Sequence, residues 1–417
     1  MLTDEGVPAR VRDGIDRDDR ERVRGGSKAG QAWRYGVALV AGHDRNASEG
    51  RPPSLLARRP RLPESVEVHS SPDPIRRDWD ELAERTGAAP FLQAGWIEAW
   101  HGAFGWGPLT VLAVRREGRV AGVLPVQARR GALTSPTDWQ TPLFGPVVED
   151  RDAAEQLARG LLARTGRRAD LWFLPPDRPG VVECAAAAGL AGFGRIVRTI
   201  TRAPYVPVEG PFEQYMGSLD RKFRKEIGRL RRRLEERGEA RVVYEDGTER
   251  LDELLADGFR LEGSGWKERA GTAIRSDPAV EDFYRAIARW AVERGWLRLA
   301  FLRLDGRAIA FDFCLEHAGV FYVLKGGFET EERRLAPGTL LTRDGIERAF
   351  ELGLSSYELL GQADDYKRSW TSHTRERLRF QAFPGTPAGF AEYAAWRYGR
   401  PLVKRIAASG SSSSPSP

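Results

Sequence analysis

The distribution of apolar and polar positions predicts a chain in which short strands and longer helices alternate. Three strand patterns with a two-residue period follow one another from 296 to 328, and turns at 305–306 and 318–319 join them. A helical pattern then runs from about Pro337 to Leu352. Two short strand patterns come after it. This order predicts a three-stranded meander that leads into a helix.

The segment before the meander predicts one helix, one strand and two further helices. The first helical pattern covers 218–238, and Ser218 is placed to cap it. Strand alternation follows at 240–246, and helical periodicity at 249–263 and 278–294. Together with the meander, these elements predict an α/β fold with a mixed sheet.

The first half of the chain varies the same plan. Its predicted elements are helices at 73–87, 90–105, 151–164 and near 179–188, a hairpin at 109–129 that turns at Glu117-Gly118, a strand at 169–174 and an extended segment at 193–208. Pro204, Pro207 and Pro211 indicate a domain junction. We therefore expect two tandem domains, at 63–204 and 205–405.

Both ends of the chain are expected to be disordered tails. Residues 1–62 are rich in Arg, Asp, Gly and Pro, and they lack the large apolar side chains needed to offset the entropy of ordering. Residues 406–417 form a low-complexity segment of mostly Ser, Pro and Gly.

Composition excludes several classes of function. The chain has 65 basic and 59 acidic residues, a formal charge of +6, which is a mixed surface rather than the one-signed field of a dedicated nucleic-acid binder. Cys184 and Cys314 lie in apolar settings and form no metal pair, and the five His have no metal-ligand spacing, so we expect no metal. The apolar run at 37–41 is too short for a signal or a membrane span. A cytoplasmic protein is the expectation.

The turn between the meander and the next helix is a candidate anion site. Pro337 in the first helical turn loses no hydrogen bond, and the amides that follow it are oriented to favour an anion. Gly338 allows a ligand to approach the backbone, and Arg333 and Arg334 could pair with phosphate oxygens. The alternative is an ordinary strand-to-helix loop with solvated arginines.

The chain resembles the GNAT acyltransferase superfamily, and within it the CelD-like and Fem-like branch of two-domain enzymes. The resemblance rests on "SLDRKFRKEIGRLRRRLEERG", "GSGWKERAG", "FDFCLEHAGVFYVLKGGFETEERRLAPGTLL" and "YELLGQADDYKRSW", and it covers roughly 66–385. It implies two GNAT-like domains, the first degenerate, and an acyl-CoA pyrophosphate held at the helix that follows the meander. The phosphate loop of the superfamily is only partly present here, because Arg334 and Gly338 alone are comparable.

Acyl transfer to an amine needs a base for the amine and an acid for the departing thiolate. The resemblance implies that Tyr366 is the acid. Asp312, opposite Phe311 and Phe313 in the strand alternation, and Asp365 are the candidate bases, and Glu316 is a weaker alternate. The cofactor-binding candidates are Arg333, Arg334, Pro337, Gly338, Thr339 and Leu340.

Four further residues are candidates for contacts with substrate. Trp266 and Lys267 correspond to a Trp-Lys pair that the related families have near the acceptor pocket. Lys325 and Lys367 could reach phosphate or carboxylate groups. In each case the alternative is an ordinary packing or solvated side chain.

The resulting hypothesis is an N-acyltransferase that uses acetyl-CoA or another acyl-CoA. The resemblance implies an amine or sugar acceptor in exopolysaccharide or cell-envelope synthesis. One alternative is Fem-like transfer from aminoacyl-tRNA, although no long helical insertion for tRNA is evident, and another is an idle scaffold of a polysaccharide-secretion system. The basic helix at 218–238 could contact tRNA, a lipid-linked pyrophosphate or an anionic membrane, or be merely solvated.

Overall fold

The computed structural model describes residues 50–264 and 271–399. The tail segments 1–49 and 400–417, with Trp266 and Lys267, lie outside the described residues. Residues 50–62, which were expected to belong to the tail, are instead attached to the fold. Arg51 forms a β-bridge with Arg195, and the Ser54 amide donates to the Gly192 carbonyl at 2.8 Å.

The described residues contain the predicted strands and three short strands that were not predicted, at 66–69, 132–134 and 147–148. They are β1 (Val66–His69), β2 (Leu109–Arg116), β3 (Arg119–Arg129), β4 (Ala132–Thr134), β5 (Val147–Val148), β6 (Arg168–Leu174), β7 (Gly194–Pro207), β8 (Ala240–Glu245), β9 (Leu297–Leu304), β10 (Arg307–His317), β11 (Val320–Phe328), β12 (Ser356–Glu358) and β13 (Thr374–Phe383).

The α-helices show that one predicted N-cap, Ser218, was wrong. They are α1 (Arg76–Arg85), α2 (Ala94–Phe104), α3 (Arg151–Arg164), α4 (Val181–Leu190), α5 (Phe212–Ser218), α6 (Arg221–Glu235), α7 (Leu251–Gly263), α8 (Pro278–Glu293), α9 (Pro337–Glu351), α10 (Asp365–Arg368) and α11 (Pro387–Ala394). The predicted cap Ser218 in fact ends α5, where its hydroxyl donates to the Tyr215 carbonyl. Asp220 caps α6 instead, accepting from the amides of Lys222 and Phe223.

The chain forms two compact units. Unit 1 contains the described residues up to Thr86, then Phe104–Ile200 and the residues from Arg377 onward; unit 2 contains Gly87–Ala103 and Thr201–Glu376. The units therefore differ from two consecutive halves, because α2 belongs to unit 2. Trp96 of α2 packs edge-to-face on Phe283 with ring centroids 5.3 Å apart, a long-range contact that element order does not reveal.

Unit 1 is a mixed sheet in the order β1-β2-β3-β4-β6-β13, antiparallel except for the parallel pair β4 and β6. Its most buried polar contact joins Asp170 of β6 to Arg379 of β13 through two hydrogen bonds of 2.7 and 2.6 Å. The rings of Trp172 and Trp396 lie 3.9 and 4.2 Å from that guanidinium. Burial alone would raise the pKa of Asp170, but Arg379 and Arg168 hold it below its usual value, whereas burial lowers the pKa of Arg379 to about 10.

Unit 2 is a second mixed sheet, in the order β7-β12-β11-β10-β9-β8, and only β11 and β12 pair in parallel. Helices α7 and α8 cover one face, where Phe311 fills the space that a side chain at Gly258 would need. Helices α6 and α9 cover the other face, where Leu230 and Leu341 share a core with Ile309. Each strand of the meander is therefore covered on both sides. Among the described residues, no helix has the length and apolar character needed to cross a bilayer.

Candidate active site

A gap between β11 and β12 defines the candidate site. The parallel register covers only Val320–Tyr322 and Ser356–Glu358. Beyond these three residue pairs, β11 continues to Phe328 beside β10. The chain after β12 instead stays beside β7, where the Leu359 amide donates to the Pro204 carbonyl. The two strands thus diverge beyond Tyr322 and Glu358.

Two consecutive glycines allow close packing on both faces of β11. A Cβ at Gly327 would lie 2.6 Å from the Leu261 carbonyl oxygen of α7. A Cβ at Gly326, the cross-strand partner of Asp312, would overlap Asp312 Oδ1. Glycine at 326 therefore leaves the space in which the Asp312 carboxylate lies over β11.

Strand register places Asp312 on the face of α9. Its neighbours Phe311 and Phe313 contact Gly258 of α7 and Tyr284 of α8, on the other face. The Asp312 charge raises the pKa of Tyr366, although burial is the larger cause. Asp312 and Tyr366 are therefore close enough to interact electrostatically.

The start of α9 differs from an ordinary capped helix. Ala336 precedes it in the left-handed region (φ 46°) and no side chain caps it, while Pro337 contributes no amide hydrogen. The Ala336 carbonyl accepts from the amides of Thr339 and Leu340 at 2.9 and 3.3 Å. Of the three amides expected to bind an anion, two thus already donate within the first turn, which leaves the Gly338 amide as the strongest candidate. Arg333 and Arg334 are exposed on the 3-10 turn just before it.

Tyr366 joins this helix start to the loop after β12. Its hydroxyl lies 2.6 Å from Thr342 Oγ1 and donates to the Gly338 carbonyl at 3.3 Å. Although 43% of the residue is exposed, burial of its hydroxyl raises the pKa of Tyr366 above that of an ordinary tyrosine, and the hydrogen bond with Thr342 opposes this shift. The phenol is therefore neutral at pH 7.

The other candidates on α10 have different positions. Lys367 Nζ donates to the carbonyls of Leu360 and Gln362 at 2.9 and 3.4 Å and so fastens the loop before α10. The Asp365 side chain is fully exposed and lies 3.8 Å from Arg368. The contacts of α10 therefore favour Asp312 over Asp365 as the base.

Lys325 and Glu316 have contacts of their own. Lys325 is the cross-strand partner of Phe313, and its Nζ lies 5.9 Å from the centre of the Tyr284 ring. It thus shares the face of α8 rather than that of Asp312. Glu316 lies 3.2 Å from Arg298, in an ion pair.

Sequence reasoning missed Gly326 and Thr342. The tandem glycine inside a strand was the available signal for the first, since glycine in a strand often marks close approach of another group. No local signal marks Thr342, because its role depends on the tertiary contact with Tyr366.

Comparisons with known proteins agree with this geometry. Residues 221–368 match the family described as Acetyltransferase (GNAT) domain. The match runs from the start of α6 to the end of α10, and it includes Asp312, Tyr366 and the start of α9. No curated protein matches the chain.

Several solved structures are similar. FemX has 14% identity and a TM-score of 0.52, covering 77% of this chain and 98% of FemX. The C-terminal domain of a putative lysylphosphatidylglycerol synthetase from Agrobacterium fabrum has 13% identity and a TM-score of 0.49, covering 78% and 96%. A tandem GNAT protein from the clavulanic acid biosynthesis pathway has 17% identity and a TM-score of 0.41, covering 77% and 99%.

The match to FemX extends over nearly the whole of FemX and shows a common fold. The family match lies on the unit that carries the divergent strands, the Asp312 carboxylate and the Tyr366 hydroxyl. Residues 221–368 are therefore similar to the GNAT acetyltransferase domain, and the chain shares its fold with FemX.

Proposed function

We propose that the protein transfers an acyl group from acyl-CoA to an amine by direct attack on the thioester. The carrying observation is that the gap beside β11 is flanked on one face by both a carboxylate, Asp312, and a neutral phenol, Tyr366. Direct attack needs one group to accept a proton from the amine and another to give one to the thiolate. These two side chains are of the required kinds.

The residues around the gap fit an acyl-CoA co-substrate. The part of β11 beyond its pairing with β12 is proposed to lie beside the extended pantetheine chain, which contains amides. The Gly338 amide, the positive end of the α9 dipole and the exposed Arg333 and Arg334 favour a pyrophosphate. When bound, acyl-CoA supplies the activated thioester carbonyl.

The steps assigned to the chain are two proton transfers. Asp312 accepts the proton that the attacking amine loses as the new C–N bond forms. The Tyr366 hydroxyl donates its proton to the sulfur as the C–S bond breaks, and Thr342 and the Gly338 carbonyl orient that hydroxyl. The two cysteines are buried, and burial raises the pKa of Cys184 to about 12 and that of Cys314 well above its ordinary value. Neither is suited to act as a nucleophile, in agreement with direct attack.

The acceptor class is proposed from the CelD-like resemblance. We expect an amino sugar or another amine of the exopolysaccharide or cell-envelope pathways. Trp266 and Lys267 are proposed to contact this acceptor.

Calorimetric titration with acetyl-CoA tests the donor. We expect saturable binding, and Tyr366→Phe should retain it while turnover with a panel of amino sugars falls, because the phenyl ring keeps the packing and removes the proton. A folded protein that gives no heat with acetyl-CoA or longer acyl-CoA would contradict the proposal. Binding of charged tRNA in the same cell, with none of acyl-CoA, would favour aminoacyl transfer instead.

A further inference from the structure

Basic side chains predominate on the outer face of α6, and the exposed Glu236 follows its last residue. Ile227, Leu230 and Leu234 face the core. The opposite, exposed face is formed by residues that share a positive charge: Arg221, Lys222, Lys225, Arg229, Arg232 and Arg233. The two carboxylates within the helix bounds lie on its flanks, where Glu226 contacts Arg229 and Glu235 contacts Arg231 at 2.9 Å each. We call the six exposed basic residues at 221, 222, 225, 229, 232 and 233 the basic ridge.

This arrangement costs free energy in the isolated protein. Like charges three or four residues apart on a helix destabilise it by roughly 0.2–0.5 kcal/mol per pair. Arg221, Lys222 and Lys225 also lie near the positive end of the helix dipole, where cations are unfavourable, and the N-cap Asp220 is the one carboxylate described at this end of the helix. A solvated face chosen for helix stability would balance the two signs. The ridge is instead suited to a surface of opposite charge.

Helix α5, directly before the ridge, adds an apolar component. It has no fully buried residue, and Phe212 and Met216 are half-buried. With the cations Arg224 and Arg343 and the carboxylates Glu213 and Glu347, they line an open cavity of about 360 Å³. A Cβ at Gly217, also on its wall, would meet nothing within 4 Å. Cations and accessible apolar side chains thus lie side by side.

We propose that the basic ridge and α5 bind the surface of an anionic lipid bilayer. Helices that rest at a membrane interface combine a Lys- and Arg-rich side with nearby apolar side chains. At a bilayer, the cations would contact the headgroups while Phe212 and Met216 would contact the boundary of the acyl chains, so both components would contribute. The inference does not depend on the proposed acyl donor, because it concerns a different surface of unit 2.

Sedimentation with vesicles tests the proposal on the full chain. We expect binding to vesicles of equal parts phosphatidylglycerol and phosphatidylcholine, little binding to phosphatidylcholine alone, and release as salt rises from about 0.1 M to about 1 M. The variant with Lys222→Glu, Lys225→Glu and Arg232→Glu should bind on the order of a hundredfold more weakly, since each Lys or Arg near an anionic surface contributes roughly fivefold.

A matched control separates the ridge from net charge. Arg58, Arg59 and Arg61 are exposed residues of unit 1, and reversing all three to Glu changes the net charge equally. This control should bind vesicles like the wild type. Equal loss in both variants, or equal binding to neutral vesicles, would overturn the proposal. A gel shift with tRNA that depends on the ridge, without vesicle binding, would overturn it in favour of a nucleic-acid surface.

Discussion

Each unit contains one parallel strand pair whose two strands are connected through a helix, and the two pairs differ in how far the first strand extends beyond the pairing. In unit 1, all three residues of β4 pair with β6, and Asp150 caps α3 by accepting from the Ala153 amide at 2.8 Å. In unit 2, β11 continues six residues beyond its pairing with β12, and α9 begins without a side-chain cap.

This difference separates a structural domain from one with room for a ligand. A carboxylate at the start of α3, itself bound by Arg116, occupies the place where an anion would bind. At α9 the same place has an open backbone amide and no acid. The comparison teaches that two units of similar plan can differ at the helix that connects their parallel strands, and among the described residues the proposed site residues lie in unit 2.

The largest expected effect tests the base in unit 2. Asp312→Asn should lower turnover by roughly two to four orders of magnitude, because the amide cannot accept the proton. Asp365→Asn is its matched comparison, and we expect a small change because that side chain is fully exposed. Rates at saturating acyl-CoA check both. A larger loss for Asp365→Asn would assign the base to Asp365.

The counterpart in unit 1 should affect stability rather than rate. Asp170→Asn leaves the buried Arg379 without its ionic partner and should cost roughly 3–5 kcal/mol of unfolding free energy. Thermal and urea unfolding measure this, with turnover per folded molecule as the control. A folded variant with impaired turnover would show that unit 1 participates in the reaction.

The unfolding free energy at low pH should also depend on the Asp170 carboxylate. Because the folded protein holds the pKa of Asp170 below its ordinary value, the unfolded chain binds the proton first as the pH falls. The stability that Asp170 contributes is present above the ordinary aspartate pKa and is lost as pH falls through the folded pKa. Unfolding free energy should therefore change less steeply over that range in Asp170→Asn than in the wild type.

A smaller effect is expected from placing an acid at the start of α9. Gly338→Asp should raise the KM for acyl-CoA by roughly tenfold, since a carboxylate competes with the pyrophosphate for the helix dipole. The fold should tolerate it, because a Cβ there meets only Phe328 at 3.4 Å. Gly338→Ala controls for size. Equal KM values for the two variants would argue that no anion binds at this helix.

The smallest effect concerns the cap of unit 1. Asp150→Ala should cost about 1 kcal/mol through loss of the α3 cap, without a change in kcat/KM. Unfolding and steady-state kinetics measure the two quantities. Acyl-CoA binding gained by this variant would mean that the cap alone had closed a second site.

The sequence predicted the elements of unit 2 well where local signals determine them. The period of β10 and β11 and the proline at the first position of α9 are such signals, and the structure confirms these elements. The start of α6 was wrong because Ser218 and Asp220 are both good caps two residues apart. The chain between them is extended at Leu219, and this local conformation decides which one acts.

The contacts of the site were harder to predict because they depend on pairing between strands. Alternation separates Asp312 from Phe311 and Phe313, but only the register shows that Lys325 shares the face of Phe313. The contact of Tyr366 with Thr342 likewise joins residues on separate elements. The positions of Trp266 and Lys267 lie outside the described residues, and their role stays a prediction.

A side chain at 326 would overlap the Asp312 carboxylate, so we expect substitutions at positions 312 and 326 to depend on each other during evolution. While residue 312 is aspartate in this rotamer, any substitution at 326 would displace its carboxylate, so we expect the glycine to be retained wherever that carboxylate is needed. Once position 312 no longer bears a carboxylate, that constraint disappears and larger residues can accumulate at 326. Joint inspection of these two positions would then distinguish catalytic descendants of this domain from those that have become purely architectural.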